Sequence, residues 1–400
     1  MTVALDYLIR DCQPGRTLPQ PFYTDAAIFE RDMERVFRHH WILAGLEMQV
    51  PNPGDYQIYS LGPDEIILVR DDDGSVNALF NVCTHRGSRL CLEPQGHVKM
   101  LVCPYHQWVF RRNGALRAAR LTGQDFDKSA HGLAKAHVKV IEGLIFICLA
   151  DGEPPSFEEV EQSIRPHLAP LELAGAALAY HQRYDLRANW KLIVENFHEC
   201  YHCPGTHPEY CAVSSWAASI NSPKPKYHDD YSKKRIAEWE AQGLPTHSVP
   251  LNEQRQFYVG RMAQREGFVS QSLDGTAVAL PLGRLPSQDV GYVGMAIWPN
   301  IFFEAPGDYA VLMQLTPVGP NQSYVDMYWL VHPDSPKQPG YDVQRVIEVW
   351  KATGEQDWEL AVNNQRGIES TRYRPGPYVR GYGLEDTLIL FTDWHLRQIA

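Results

Sequence analysis

The chain between about residue 42 and residue 150 consists of short apolar runs separated by turn residues. YQIYSLG, EIILVR, VNALFNV, VKMLVCP and GLIFICL are rich in β-branched and aromatic residues, and pairs such as Asp73-Gly74 and Asn113-Gly114 separate the runs. Apolar runs of this length are typical of strands rather than helices. The pattern therefore predicts a compact all-β domain over residues 42–150.

The rest of the chain mixes helical and strand patterns. Apolar residues recur at helical spacing from Asp25 to His39, in ANWKLIVENFHECYH, from Tyr341 to Ile368 and in LILFTDWHLRQI. IFFEAPGDYAVLMQLTPVG and SYVDMYWLV predict successive antiparallel strands. DGEPP has the composition of a linker, and the stretch 211–290 shows no clear pattern. We predict an α+β chain with an N-terminal helical segment (residues 1–41), the β-domain and a second domain (residues 151–400).

Composition and charge narrow the class of protein. The formal net charge of the 400 residues is -11, which argues against the basic surface that a nucleic-acid-binding protein needs. The longest apolar run, GLIFICLA, is far too short to span a bilayer. Charges interrupt MTVALDYLIRDCQPG too early for a signal peptide. We therefore expect a cytoplasmic protein with no membrane or nucleic-acid partner, in which the eight cysteines form no disulfide framework.

The β-domain contains a paired cysteine–histidine pattern. Cys83-x-His85 is followed after seventeen residues by Cys103-x-x-His106. Each motif offers one thiolate and one imidazole, which a Rieske [2Fe–2S] centre requires because two cysteines hold one iron and two histidines hold the other. The alternative is a structural zinc site with the same four ligands, although zinc fingers usually pair cysteine with cysteine and histidine with histidine.

A second candidate metal site lies in ENFHECYHCPGTHPE. His202 and His207 flank Pro204-Gly205, which we expect to end the helix that carries the first histidine. Two histidines and one carboxylate form the facial triad of non-haem Fe(II) oxygenases, which leaves coordination positions open. The alternatives are a zinc site that also uses the two neighbouring cysteines and a redox-active C-x-x-C pair.

The long C-terminal helix supplies the carboxylate. One stripe of this helix is apolar or small except at Asp357, whereas the other carboxylates lie on the opposite, polar face. A charge on a buried stripe is costly unless it is paired or binds a metal. Asp357 is therefore the predicted third iron ligand, with a salt-bridged buried aspartate as the alternative.

Both motifs together, in this order and with the distal aspartate, resemble the α subunit of Rieske non-haem iron oxygenases over essentially the whole chain. The resemblance implies a Rieske β-domain and a helix-grip-like catalytic domain, on which residues 1–41 pack, with a large antiparallel sheet flanked by helices. It assigns the [2Fe–2S] cluster to the first four ligands named above and the mononuclear Fe(II) to the two histidines and Asp357. It further implies O₂ as a substrate and NAD(P)H electrons delivered by a separate flavin/iron–sulfur reductase.

The resemblance also gives Glu199 a role. In this family the cluster of one subunit abuts the iron of the next within a homotrimer, and a carboxylate bridges the two sites. Glu199 matches that carboxylate, and we expect it to lie one helical turn before His202 and to bond His106 of the neighbouring subunit. The alternative is an ordinary solvated glutamate.

Several phrases resemble one branch of the family. LPQPFYTD, HRGSRLC, LVCPYHQW, ANWKLIVENFHECYHC, NQRGI and PGPY are similar to glycine betaine monooxygenases, stachydrine (proline betaine) demethylases and choline and carnitine monooxygenases. The branch implies oxidative N-demethylation of a small quaternary ammonium compound with release of formaldehyde. The alternatives are an aromatic-acid or ring-hydroxylating oxygenase on the same scaffold, a Rieske electron carrier and a zinc-stapled binding module.

Overall fold

The computed structural model describes residues 2–123, 125–220, 222–381 and 383–400. The chain divides into two compact units, residues 37–156 and the remainder on either side. The predicted domain boundaries at 41/42 and 150/151 stay predictions. No helix among the described residues is long and apolar enough to cross a membrane.

The N-terminal segment is helical, as its apolar spacing predicts. It contains α1 (Thr2–Asp11), α2 (Pro21–Thr24) and α3 (Ala26–Asp32), which continues into a π-helical turn, Met33–Phe37. Asp25 caps α3, because its carboxylate accepts hydrogen bonds from the N–H groups of Ala27 and Ile28.

The first unit is built from short antiparallel strands, in agreement with the all-β prediction. The strands are β1 (Ile42–Leu46), β2 (Asp55–Leu61), β3 (Asp64–Arg70), β4 (Val76–Phe80), β5 (Gln95–His97), β6 (Leu101–Val102), β7 (Val109–Phe110), β8 (Leu116–Ala118), β9 (His137–Ile141) and β10 (Leu144–Cys148). They form three sheets in the orders β1-β10-β9, β4-β3-β2-β5 and β6-β7-β8. Two loops, β4–β5 and β6–β7, carry the cysteine–histidine motifs.

The second unit combines helices with one large sheet. Its elements are α4 (Glu158–Leu168), β11 (Ala177–Leu186), α5 (Trp190–Phe197), α6 (Cys203–Thr206), α7 (Pro208–Val213), α8 (Ser215–Ser219), α9 (Pro225–Ala241), β12 (Phe257–Met262), β13 (Tyr292–Ile297), β14 (Ile301–Ala305), β15 (Tyr309–Gly319), β16 (Gln322–Val331), α10 (Val343–Ile368) and α11 (Asp386–Ile399). The six strands pair antiparallel in the order β11-β16-β15-β14-β13-β12, so the predicted α+β class is confirmed.

Helix α10 buries the stripe that the sequence predicts. Asp342 caps its N-terminus by accepting from the N–H of Gln344. Val346, Trp350 and Asp357 are buried, whereas Glu355 is exposed. The aspartate is 3% exposed, so a carboxylate lies within the packed face of the helix.

The prediction of one helix through ANWKLIVENFHECYH is wrong. Helix α5 ends at Phe197 and α6 begins only at Cys203, so Glu199 does not lie one helical turn before His202. The ring of His198 bonds the carbonyl of Val194 at 2.7 Å. That carbonyl would accept the backbone N–H of His198 in a continuous helix, and the side chain therefore competes with the helical ladder.

Two further features differ from the sequence-based picture. Cys200 and Cys203, the pair that the sequence left open as a redox-active C-x-x-C, are joined by a disulfide, although we expected no disulfide framework. The stretch 211–290, which showed no pattern, contains α8, α9 and β12 and the end of α7. Helices α7, α8 and α9 begin at Pro208, Ser215 and Pro225 rather than with amphipathic runs. Helix α7 packs against α10, α8 against α9, and α9 also against β12, and such tertiary packing stabilises helices of weak periodicity.

Candidate active site and metal centres

The two cysteine–histidine loops have equivalent backbone geometry. The N–H of Gly87 bonds the carbonyl of Cys83 at 2.9 Å, and the N–H of Gln107 bonds the carbonyl of Cys103 at 3.0 Å. The fourth residue after each cysteine has positive φ, 76° at the glycine and 59° at the glutamine. A left-handed residue there turns each chain back over its cysteine.

Backbone amides point at both sulfur atoms. The N–H groups of His85 and Arg86 bond the sulfur of Cys83, and those of Tyr105 and His106 bond the sulfur of Cys103. Burial alone would raise the pKa of the Cys103 thiol, but these amides, with the side chains of Cys83 and Ser88, outweigh burial and lower it. Burial prevails at Cys83 and raises the pKa of that thiol. The second loop therefore favours the thiolate, the form in which cysteine binds a metal.

The structure brings the two cysteines together and the two histidines together. The cysteines are buried, at 2% and 1% exposure, and the rings of His85 and His106 lie with their centroids 4.6 Å apart. The Nδ1 atom of His106 is buried without a hydrogen-bond partner among the described residues. An unsatisfied imidazole nitrogen of this kind fits a metal ligand.

Asn81, which the sequence did not indicate, holds the first loop. Its side-chain oxygen accepts from the N–H of Leu90 and the N–H of Cys91, at 2.9 and 3.0 Å. Its amide donates to the Cys91 carbonyl at 2.7 Å. The available signal was an asparagine at the end of the apolar strand pattern VNALFNV, which also contains Asn77.

The second site brings the predicted triad together. Nε2 of His202 lies 2.9 Å from Nε2 of His207, and Oδ1 of Asp357 lies 3.1 and 2.9 Å from these nitrogens. Two ligands at right angles, each about 2.1 Å from a metal, are about 3.0 Å apart. The three atoms therefore form a triangle of the size that one face of an octahedral metal site needs.

The neighbouring cysteine is not an equal competitor for the metal. A ligand atom of Cys203 also lies within 4.8 Å of ligand atoms of both histidines. Its sulfur, however, is bonded to Cys200, so it offers no thiolate. Asp357 provides the closer and chemically available third ligand.

Hydrogen bonds on the outer nitrogens orient both imidazoles. Nδ1 of His202 lies 2.5 Å from Oε1 of Glu199, and Nδ1 of His207 lies 2.8 Å from Oε1 of Gln356. A proton on each Nδ1 leaves the Nε2 lone pair free for a metal. Gln356 in turn donates to Glu209 at 3.0 Å. The sequence analysis missed Gln356, although it directly precedes Asp357.

The charges of the site favour a cation. Burial on its own would lower the pKa of His202, but hydrogen bonds to Asp357 and Glu199 raise it to about 9. Two carboxylates around one imidazole therefore attract a positive charge, which a divalent metal supplies.

A cavity of about 230 Å³ adjoins the triad. The face of the sheet below it carries the even-numbered residues of three strands, because alternate side chains share a face. Aromatic rings and Glu304 dominate its lining, together with all three triad residues and Glu199. The aromatic residues include Phe197, Tyr210, Trp216, Tyr258, Tyr292, Phe302 and Trp350. The sequence analysis did not single out Glu304, a charge inside the apolar strand IFFEA.

Two family models match this chain. Residues 40–136 match the Rieske [2Fe-2S] domain, and residues 173–400 match the ring hydroxylating alpha subunit (catalytic domain). The glycine betaine monooxygenase oxygenase subunit of Chromohalobacter salexigens is 39% identical over 392 residues, covering 97% of this chain and 87% of that protein. The subunit with the same description from Pseudomonas aeruginosa strain UCBPP-PA14 is 36% identical, covering 97% of this chain and 90% of that protein.

Solved structures show the same fold at lower sequence identity. A quaternary ammonium Rieske monooxygenase studied for carnitine oxidation by gut microbiota aligns with a TM-score of 0.73 at 20% identity, over 98% of each chain. Naphthalene 1,2-dioxygenase from Rhodococcus aligns with a TM-score of 0.71 at 20% identity, over 99% of this chain and 97% of that one. The chain belongs to the ring-hydroxylating α-subunit family of Rieske non-haem iron oxygenases, oxidoreductases that carry a Rieske [2Fe–2S] cluster and a mononuclear iron and use O₂.

Proposed function

We propose that this chain is the terminal oxygenase component that hydroxylates an N-methyl group of a quaternary ammonium compound or betaine. The observation that carries the proposal is the triangle of His202, His207 and Asp357 beside an aromatic-lined cavity. Aromatic faces are the usual protein surface for quaternary ammonium groups. The full-length relatives described as glycine betaine monooxygenase subunits support the same substrate class.

The ligand assignment is part of the proposal. Cys83, His85, Cys103 and His106 hold the [2Fe–2S] cluster, and the triad holds the mononuclear iron. When bound, this iron supplies the O₂ activation that insertion of oxygen into a C–H bond requires. The 3 Å spacing of the triad atoms and the unsatisfied Nδ1 of His106 support the assignment.

The protein's own residues position the reaction. Glu199 and Gln356 hold the Nδ1 protons of the two histidines, so both imidazoles present Nε2 to the same point. The cavity walls exclude bulk water and place the substrate beside the triad. One oxygen atom of O₂ is inserted into a C–H bond of the N-methyl group and the other leaves as water, with two electrons and two protons consumed. The resulting N–CH₂OH group then breaks into formaldehyde and the demethylated amine.

Oxygenase subunits of this family work with a separate reductase and bind small substrates. We propose a flavin/iron–sulfur reductase that draws on NAD(P)H, and a homotrimer in which Glu199 carries electrons from the cluster of one subunit to the iron of the next. The contact of Glu199 with Nδ1 of His202 supports this role, because the carboxylate touches an imidazole of the triad directly. A cytoplasmic location stays a prediction.

The rival activities fit the chain less well. An electron carrier needs only the Rieske domain, whereas residues 173–400 match the catalytic domain. An aromatic-acid oxygenase has partial support, since salicylate 5-hydroxylase of Ralstonia is 34% identical over half of this chain. The relatives that match 97% of this chain are glycine betaine monooxygenase subunits, so the aromatic substrate class has the narrower support.

A single turnover without reductase tests the proposal. Iron-loaded protein is reduced chemically without air and mixed separately with choline, glycine betaine, carnitine and salicylate, and O₂ is then admitted. We expect formaldehyde and a demethylated amine from at least one quaternary ammonium compound. Asp357→Ala, which should lose the mononuclear iron but keep the cluster, serves as the matched control and should form no formaldehyde. Hydroxylated salicylate without formaldehyde from any ammonium compound would contradict the proposed substrate class.

A further inference from the structure

Glu304 is a buried carboxylate in the wall of the cavity. It lies on β14 two residues after Phe302, and both side chains line the cavity because alternate residues of a strand share a face. Across the sheet Glu304 pairs with Gly294 of β13. Its exposure is 2%, so the charge meets the interior of the cavity rather than bulk water.

The hydrogen bonds around Glu304 fit its ionised form, whereas burial without a positive partner favours its protonated form. The hydroxyl of Tyr210 donates to Oε1 at 3.1 Å, and the amide of Gln271 donates to Oε2 at 2.5 Å. The amide of Gln271 cannot turn around without a loss, because its oxygen accepts from the indole N–H of Trp350 at 2.7 Å. Each carboxylate oxygen therefore already faces a neutral donor, and a carboxylic acid proton on Oε2 would oppose the Gln271 amide.

No described residue supplies the positive charge that this arrangement lacks. Glu304 has no ion-pair partner among the described residues, and none of those that line the cavity is lysine or arginine. Burial therefore raises the pKa of Glu304 to about 8, against the smaller opposing effects of Gln271 and Tyr210. An unpaired buried carboxylate is costly, and a cationic ligand would remove that cost.

The other titratable groups that face Glu304 are phenols. Tyr210 on α7, Tyr258 on β12, Tyr292 on β13 and Tyr309 on β15 feel its charge. Burial is the main cause that raises the pKa of each phenol, and the negative charge of Glu304 is the second cause for Tyr210, Tyr258 and Tyr292. For Tyr309 the charge of Asp308 comes second and that of Glu304 third. All four therefore stay neutral near pH 7. Helix α10 contributes Trp350, Thr353 and the carboxylate of Asp357 to the cavity, whose lining also includes the imidazoles of His198, His202 and His207 and the carboxylate of Glu199.

We propose that Glu304 is the specificity-determining residue of the cavity and selects a quaternary ammonium group as its counter-ion. This inference rests on the proposed function and adds the residue that recognises the charge. A quaternary ammonium group has no N–H to donate, so it gains nothing from a free carboxylate lone pair. It needs a negative charge whose hydrogen bonds are already made, beside aromatic faces, which Glu304 and the rings around it provide.

The aromatic rings complete the recognition surface. The rings of Tyr210 and Trp350 lie 5.2 Å apart between centroids, and those of Phe302 and Trp350 lie 5.8 Å apart. Rings at this spacing and tilt form adjoining walls around a compact cation. Tyr210 serves both functions, since its ring faces the cavity while its hydroxyl holds the carboxylate.

The test compares ligands that share a shape but differ in charge. Calorimetry measures the binding of glycine betaine and of its isostere, in which a tert-butyl group replaces the trimethylammonium group, to the iron-loaded protein without O₂. Choline and its tert-butyl isostere form a second pair. We expect the wild type to prefer the ligand with the ammonium group by about 100-fold and Glu304→Gln to reduce this preference to less than about 5-fold, because the isosteres have no cationic group for Glu304 to recognise. Glu348→Gln, which removes a carboxylate outside the cavity, should keep the preference.

Proton release gives a second readout that a purely structural role would not produce. The pKa of Glu304 is about 8 without a ligand, so most chains carry a proton there at pH 7. A cation bound beside Glu304 lowers the pKa of this carboxyl, and the protein then releases up to about 0.9 proton per chain. Calorimetry in buffers of different ionisation enthalpy measures this release. The wild type and Glu304→Asp should release the proton, and Glu304→Gln should not. This readout in the wild type also decides the matter if the glutamine variant does not fold.

The outcomes separate this inference from the proposed function. An unchanged preference for the cation in Glu304→Gln, or no proton release from the wild type, overturns the role of Glu304 while formaldehyde formation still supports the demethylase. A wild type that prefers the tert-butyl isostere and forms no formaldehyde overturns both. Loss of the preference together with loss of proton release in Glu304→Gln supports the inference.

Discussion

Replacing Gln356 by leucine should weaken the mononuclear iron site without touching any of its ligands. Gln356 accepts from Nδ1 of His207 at 2.8 Å, and His207 is only 1% exposed. Leucine leaves this buried N–H without a partner, which costs about 1–3 kcal/mol. It also releases the ring to place its proton on Nε2, the atom that faces Asp357. Loss of the hydrogen-bond partner of a metal-binding histidine typically lowers metal affinity about 10–100-fold, or about 1.4–2.8 kcal/mol. This range agrees with the cost of the unsatisfied N–H.

Competition with a chelator of known affinity measures this change. Bound iron in excess of the two cluster atoms per chain is measured as a function of chelator concentration. The visible absorbance of the cluster serves as an internal reference. Gln356→Leu should release its mononuclear iron at about 10–100-fold lower chelator concentration than the wild type. Asn364→Ala, on the exposed part of the same helix, is the matched control. Equal iron retention in Gln356→Leu and the wild type would refute the positioning role of this hydrogen bond.

Four other changes test separate parts of the structure. Glu199→Gln should leave both metal sites filled yet nearly abolish reductase-driven turnover, and full turnover in this variant would contradict the electron bridge. Gly87→Ala introduces a side chain at φ 76° and should lower the free energy of unfolding of the Rieske unit by about 1–2 kcal/mol, measured by thermal loss of the cluster absorbance. Gly123→Ala, where an added Cβ meets open space, should leave this stability unchanged. Asp32→Ala removes the buried partner of a lysine and a histidine and should destabilise the chain by about 3–5 kcal/mol in denaturant unfolding; a loss below 1 kcal/mol would contradict the buried ion pair. The pKa of Glu304 is about 8 in the folded chain and 4.5 in the unfolded chain, so the wild type should lose stability as the pH rises from 4.5 to 8. Glu304→Gln should therefore have a higher Tm than the wild type at pH 8.5 and nearly the same Tm at pH 5.

The candidate metal-binding residues could be chosen from the sequence because local patterns indicate their chemistry. The cysteine–histidine spacing indicated the Rieske loops directly, and one charge on a buried stripe indicated Asp357. Both inferences rest on short sequence distances and on the high free-energy cost of burying an unpaired charge. Helix α10 formed where its apolar period predicted it, because that period extends over seven turns.

The remaining parts of the site depend on contacts between distant residues. The break after Phe197 follows from the ring of His198, which bonds Val194 on one side and accepts from the indole of Trp298 on the other. The second of these partners is a hundred residues away, so helical periodicity could not reveal the break. Tertiary contacts of this kind override local propensity.

Glu304 shows the same limitation at the substrate cavity. Its position inside an apolar strand marked it as unusual, but its donors, Tyr210 and Gln271, come from other parts of the chain. The stretch 211–290, where periodicity is weak, also supplies Tyr258 to the cavity wall. The pocket could therefore not be assembled from the sequence, although the chemistry at its edge could.

The most direct test of the account is a single turnover with glycine betaine whose three methyl groups are deuterated. Chemically reduced, iron-loaded protein is exposed to O₂, and the deuterated formaldehyde is counted against the mononuclear iron by mass spectrometry. The account predicts up to one dideuterated formaldehyde per iron held by His202, His207 and Asp357, and none from Asp357→Ala. Reoxidation of the cluster in the wild type without deuterated formaldehyde from this or any other methyl-deuterated quaternary ammonium compound would contradict the claim that the site oxidises an N-methyl group.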